Sequence, residues 1–228
     1  MTWAIEIRNL TFRYPGRDTY ILQNVNLKIK QGETVAIVGL SGNGKSTLCY
    51  CISGIIPHIY GGDLQGEVFL FDQPIKDLKR SEMVTKIGIV FQDPDTQLFS
   101  PTVEDEVAFG PENLCLDRWE IDRRIEEALK VVGMENHRLS NPNHLSGGQK
   151  QLVALASVLS LEPDIFVFDE AVSQVDKDGK LAIKNKILTL KKEKKTIIMV
   201  EHDFTNLDIA DRVVVLKEGR LQEFEGWL

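Results

Sequence analysis

Residues Gly39–Thr47, GLSGNGKST, constrain this chain more than any other stretch. They fill the spacing G-x-x-x-x-G-K-[ST] with Gly39, Gly44, Lys45 and Ser46. A short apolar run, Thr34–Val38, leads in, and Leu48–Ile52 leads out. The expected geometry is strand, tight turn, helix. Glycine lets successive backbone N–H groups converge without side-chain clash. With a helix N-terminus, those groups form a cradle for phosphate oxygens. The candidate cradle comprises Gly39, Ser41, Gly42, Asn43, Gly44, Lys45, Ser46 and Thr47. Lys45 would reach the β- and γ-phosphates of a nucleotide, and the Ser46 hydroxyl would ligate Mg²⁺.

The 228 residues suffice for one large domain or two small lobes. With 43% hydrophobic and 27% charged residues, the composition is that of an ordinary globular protein. There are 27 basic and 34 acidic residues, a net charge of −7, which disfavours nucleic acid as a bulk partner. No apolar run approaches the roughly 20 residues of a membrane helix. The start, MTWAIEI, has no basic n-region or apolar h-region, so no secretory signal is expected. Contact with a membrane is then expected through a protein partner or a surface patch. Cys49, Cys51 and Cys115 lack metal-site spacing and are expected to be reduced core thiols in the cytosol.

Ala4–Leu10 and Val25–Ile29 alternate apolar and polar residues, which predicts half-buried strands in a small antiparallel N-terminal lobe. Gly66–Phe71 and Ile87–Phe91 read as further strands. Residues 92–160 hold 12 acidic and 6 basic residues, nearly all of the net charge. Asp117 followed by Glu120 predicts a capped helix start, and Gly133 a helix stop. A second helix is expected from Gly147-Gly148, with Leu152, Leu155, Ala156 and Leu159 on one face. Ile165–Phe168 and Ile197–Val200 are continuous apolar runs that suit buried parallel strands. A helix is expected between them, from about Asp178 to Lys194, and Glu218-Gly219 predicts a terminal hairpin. Lys191–Lys195 reads as a solvated helix end.

Asp169 and Glu170 close one of the buried runs. Ligands of open α/β sheets bind beyond the carboxyl ends of the strands. Asp169 is therefore expected to hold Mg²⁺, and Glu170 to polarise an attacking water. Leu145–Gln151, LSGGQKQ, offers a second anion site: Ser146 as N-cap, with Gly147 and Gly148 exposing backbone N–H groups, but no lysine. One complete and one incomplete phosphate site suggest assembly across two subunits.

Gly39–Thr47, Gln92, LSGGQ at 145–149, IFVFDE at 165–170 and His202 stand in the order and spacing of ABC-type ATPases, which the chain resembles over essentially its whole length. Val90–Asn113, VFQDPDTQLFSPTVEDEVAFGPEN, looks like the ATPases of energy-coupling-factor transporters, importers of vitamins and transition-metal ions. The resemblance implies an α/β P-loop NTPase fold. A RecA-like core and β-lobe would span about 1–91 and 161–228, with an inserted helical subdomain at about 92–160. It implies that Tyr14 stacks on adenine and that Gln92 joins Mg²⁺ and the attacking water. Ser146, Gly147, Gly148 and Gln149 would meet the ATP of a second, head-to-tail subunit. Asp176, in Ser173–Asp176, would cross that interface, and His202 would contact the γ-phosphate. His58, His137 and His144 carry no expected role. The resemblance also implies a peripheral protein on the cytoplasmic face of the membrane, docked to membrane-embedded subunits beside Gln92. There Asp93 and Asp95 flank Leu98 and Phe99, and Glu104, Asp105 and Glu106 surround Val107 and Phe109. An apolar floor with an acidic rim is expected, suited to an amphipathic helix carrying arginine or lysine. Val172 and Leu152 depart from the residues frequent at those positions, and relatives often continue beyond the point matching Leu228. A soluble ATPase acting on ribosomes or DNA is the competing expectation. Such proteins usually show two cassettes or a long coiled coil, and this chain shows one cassette and no heptad run.

Overall fold

The alternating apolar residues of the N-terminal segment pair into an antiparallel sheet. In the computed structural model, which describes residues 3–171, 177–202 and 207–224, β1 (Trp3–Arg13) pairs with β2 (Leu22–Lys30). β3 (Thr34–Val38) then leaves this lobe for the centre of a second sheet. Helices α1 (Lys45–Ile52) and α2 (Ile55–His58) follow it. The chain returns as β4 (Asp63–Leu70) and β5 (Gln73–Pro74), completing the small sheet in the order β2-β1-β4-β5. In β2 the expected alternation holds from Val25 to Lys30. In β1 it does not: Glu6 is buried beside Ile5 and Ile7, because it pairs with Arg8 at 2.7 Å and Lys28 at 2.8 Å.

The rest of the chain builds the larger sheet and its covering helices. α3 (Arg80–Lys86) leads into β6 (Ile87–Val90), one residue shorter than expected. Three helices follow: α4 (Val103–Asn113), α5 (Arg118–Val132) and α6 (Gly147–Leu159). Then come β7 (Ile165–Asp169), α7 (Lys177–Lys192), β8 (Thr196–Glu201), β9 (Arg212–Lys217) and β10 (Arg220–Glu223). The strand order is β10-β9-β3-β8-β7-β6, parallel except for the terminal hairpin. β3, β7 and β8 are buried at every residue, as strands covered on both faces must be. Ile5, Phe12, Leu48, Ile52 and Ile37 share one core, joining the small sheet and α1 to the large sheet. Val107, Leu129, Leu155, Phe166, Ile183 and Met199 share a second, joining α4–α7 to it.

Local expectations fail where side chains find better partners. Asp117 occupies the N-cap of α5 but accepts no capping hydrogen bond. Glu120 is instead held by Arg123 at 2.6 Å and Arg124 at 2.7 Å. Gly133 does end α5, at φ 69°. α7 stops at Lys192, and Lys194 turns into the left-handed region at φ 62°. Lys191 and Lys195 are engaged with Asp211 and Asp164 rather than simply solvated. Cys49 and Cys51 are buried core thiols, whereas Cys115 is exposed in the α4–α5 connection. α4 has no counterpart among the expected helices.

Candidate active site

Four parallel strands end level at one edge of the large sheet. Val38 of β3 pairs with Glu201 of β8, Val200 of β8 with Asp169 of β7, and Phe168 of β7 with Val90 of β6. The loops leaving this edge carry Gly39–Thr47, His202, Glu170 and Gln92, each just past its strand. This is the carboxyl edge, where open α/β sheets bind ligands.

The phosphate loop is shaped by its glycines. A Cβ on Gly39 would run into the Leu216 carbonyl oxygen, so no other residue fits without a backbone shift. Gly44 caps α1 at φ 95°, and a Cβ there would lie 2.9 Å from Ile21 Cγ2. Asn43 Nδ2 donates to the same Leu216 carbonyl at 3.1 Å, fixing the loop to the end of β9. No side chain caps α1, so its first N–H groups remain available to an anion. Lys45 is 5% exposed and curls back over the loop, donating to the Gly39 carbonyl at 2.8 Å. Its Nζ also lies 3.1 Å from Glu170 Oε1.

Glu170 takes φ 50°, the turn by which the chain leaves β7, and its N–H donates to the Val200 carbonyl at 3.0 Å. His202 Nδ1 stands 3.9 Å from Glu170 Oε2. Asp169 is 3% exposed, and its Oδ1 accepts no hydrogen bond. Burial raises the Asp169 pKa, opposed by a hydrogen bond from Ser46. A buried, unpartnered carboxylate oxygen beside a serine hydroxyl is a hard-oxygen donor set that fits Mg²⁺. Tyr14 is half-buried, with its hydroxyl 3.3 Å from Thr47 Oγ1, so its ring stands beside the cradle. Gln92 is exposed after β6.

The 145–149 segment sits apart, at the start of α6. Ser146 caps the helix by accepting the Gln149 N–H at 3.3 Å, and Gln149 Oε1 accepts the Ser146 N–H at 3.0 Å. Among the described residues it makes no hydrogen bond to the phosphate loop. His137, expected to have no role, brings Nε2 within 3.3 Å of Gln149 Nε2. Asp176 and Val172 lie outside the described residues.

A groove of about 590 Å³ opens between α2–α3 and α4–α6, with Phe91 and Gln97 in its wall. Its apolar lining includes Ile55, Ile59, Met83, Val84, Phe99 and Phe109. Of the acids expected at its rim, only Glu106 lines the groove. Asp93 caps the turn at 94–96, Asp95 pairs with Lys150 at 2.6 Å and Glu104 with Arg138 at 2.7 Å. Asp105 accepts from Thr102 Oγ1 at 2.6 Å. Glu106 does line the groove, but its carboxylate is turned onto the Phe99 and Ser100 N–H groups. Val107 belongs to the core.

Known proteins give this arrangement its context. The family profile described as ABC transporter matches residues 22–173. A putative ABC transporter ATP-binding protein of Methanosarcina acetivorans is 49% identical over 219 residues, 95% of this chain. The chain spans only 34% of that relative's length. The energy-coupling factor transporter ATP-binding protein EcfA of Methanocaldococcus jannaschii is 41% identical over 96% of this chain and 77% of its own. Among solved structures, CbiO1 of Clostridium perfringens, part of the ABC transporter complex CbiONQ, superposes with a TM-score of 0.83 at 36% identity, covering 97% of this chain and 88% of that one. With its phosphate loop, acidic strand end and LSGGQ helix in these places, the chain belongs to the ABC transporter family.

Proposed function

We propose that this chain binds and hydrolyses ATP as the motor subunit of an energy-coupling-factor importer of a vitamin or transition-metal ion. The convergence of Lys45, Ser46, Asp169 and Glu170 at one sheet edge carries the proposal. The loop N–H groups and Lys45 hold the β- and γ-phosphates, and Tyr14 offers its ring to adenine. Ser46 and Asp169, joined by Gln92, are the residues that would hold Mg²⁺, which would neutralise charge on the phosphate oxygens. Glu170 accepts the proton of the attacking water as the water oxygen bonds to the γ-phosphorus and the bond from that phosphorus to the bridging oxygen breaks, its electron pair leaving with ADP. His202, 3.9 Å from that carboxylate, keeps it and the water in register.

The incomplete site at Ser146, Gly147, Gly148 and Gln149 supports a head-to-tail dimer. In it each α6 N-terminus closes on the partner's γ-phosphate, with Asp176 at the interface. The apolar groove beside Phe91 suits a helix of a membrane-embedded subunit. The chain then works peripherally on the cytoplasmic face; among the described residues no helix is long and apolar enough to cross a membrane. Transporter names among the relatives favour this over action on ribosomes or DNA.

The test is Mg²⁺-dependent phosphate release by the purified chain, followed by co-purification with candidate membrane subunits. Absence of both ATP binding in calorimetry and phosphate release would remove the proposal.

A further inference from the structure

The first turn of α6 holds Ser146 and Gln149, and the next two residues reach back to the loop after β6. Gln151 Nε2 donates to the Phe91 carbonyl at 2.9 Å. Lys150 Nζ lies 2.6 Å from Asp95 Oδ1. These two ties fall on either side of Gln92. A further glutamine, Gln97, accepts the Phe91 N–H through Oε1 at 3.3 Å, so both polar groups of the Phe91 backbone are held by side chains.

Gln151 is 1% exposed, on the face of α6 that otherwise buries Ala154, Leu155 and Val158. An apolar residue would pack there without the demand for a hydrogen bond. A buried polar side chain so placed calls for a reason, and the Phe91 carbonyl supplies it. Gln149 and Gln151 are two residues apart, about 3 Å along a rigid helix. Val90, by contrast, is fixed in the large sheet opposite Phe168. If α6 shifts while β6 stays, the strain falls on residues 91–95, and Gln92 must move.

We infer that Gln151, with the Lys150–Asp95 pair, is a positioning device that ties the signature turn to Gln92. The inference rests on the composite dimer proposed above. Under it, the turn at 146–149 reports on the partner's nucleotide, and Gln92 reports on the subunit's own. The ties then make each site sense the other, which appears as cooperativity in ATP. Gln151 acts through Phe91 and Gln92, not on the reacting atoms.

The experiment compares the ATP dependence of hydrolysis by the full chain, wild type, Gln151→Leu, Lys150→Asp and the exchange Lys150→Asp/Asp95→Lys. The wild type is expected to show a Hill coefficient near two, and Gln151→Leu about one, with ATP affinity within about twofold in calorimetry. Lys150→Asp lowers the coefficient at unchanged ATP affinity, which mere structural damage would not produce, and the exchange restores it, tying the effect to the ion pair. Lys150 and Asp95 lie at the surface end of the device, so the charge variants test it even if Gln151→Leu folds poorly. A cooperative wild type with unchanged single variants, or an exchange no better than Lys150→Asp, overturns the tie and leaves the ATPase assignment standing. Wild-type hydrolysis without cooperativity overturns the tie and the composite site together.

Discussion

The Lys45 ammonium and the Glu170 carboxylate lie 3.1 Å apart, with side chains 4% and 11% exposed. The cation that would hold phosphate and the base that would accept a proton thus share one buried ion pair. Removing one partner of such a pair leaves the other charge uncompensated, at a cost of about 3–5 kcal/mol. Lys45→Ala is therefore expected to lower the melting temperature of the unliganded chain as well as to lose most ATP affinity. Thermal melts and calorimetry check both, and unchanged ATP binding would contradict the assignment of Lys45 to the phosphates.

Glu170→Gln separates binding from chemistry. The amide cannot accept the proton of water but keeps the size of the side chain. Turnover is expected to fall by about 10²–10⁴-fold with ATP binding retained. Trapped ATP should then hold two subunits together, since a ligand bound to the closed form stabilises it. Light scattering at saturating Mg·ATP tests this, and a variant that stays monomeric there sinks the composite site.

Asp169 should work against the unliganded fold at neutral pH. Burial raises its pKa above the ordinary 3.8, so the folded state holds the proton to higher pH than the unfolded chain. Its favourable contribution is complete below that ordinary value and is lost as pH rises through the native one. Asp169→Asn is expected to stabilise the unliganded chain at pH 7. The gain should shrink toward pH 4, and extra stabilisation by Mg²⁺ over ATP alone should disappear. Urea melts with and without Mg·ATP report both.

Glu6 has the opposite sign. Hydrogen bonds from Arg8 and then Lys28 hold its carboxyl at about 2, below the ordinary 4.5. Its contribution is present above the ordinary value and is lost as pH falls through the native one. Glu6→Gln should therefore destabilise the β-lobe at pH 7, and the difference should fade as pH falls through about 2. Parallel acid titrations of wild type and variant, followed by circular dichroism, distinguish this from a pH-independent packing defect.

The phosphate loop and the strand ends were legible because their chemistry is local. Gly39, Gly44 and Lys45 need one backbone shape, and β7 and β8 need unbroken apolar runs. α4 was hidden because Gly110 and Pro111 lie inside it, although its acidic first turn suits a helix start. Thr102 starts the helix instead, accepting the Asp105 N–H at 3.1 Å. The burial of Glu6 depends on Arg8 and on Lys28 of the neighbouring strand, and the contact between His137 and Gln149 on the turns between them, neither of which apolar periodicity reveals. Composition suggested an acidic rim at 93–106, but the carboxylates there are engaged by nearby backbone N–H groups, a hydroxyl or basic side chains.

That correction changes what should govern docking. Phe99 and Phe109 meet edge to face, with ring centroids 4.8 Å apart, and are 67% and 46% exposed. Glu106 presents Phe99 to the groove by accepting its N–H at 2.9 Å and that of Ser100 at 2.8 Å. Ile59 and Val84 extend the apolar surface across the groove. Aromatic anchors in such a floor carry most of an interface's energy, typically 2 kcal/mol or more each, about 30-fold in affinity. Phe109→Asp should therefore weaken binding to the membrane subunit by roughly that factor or more. Asp93→Lys should change it by only a few-fold, as for a charge at a solvated rim. ATP affinity of the isolated chain is the internal control. Release of the membrane subunit by Asp93→Lys as complete as by Phe109→Asp would return the interface to its carboxylates, and equal loss of ATP binding and docking would remove the groove from both.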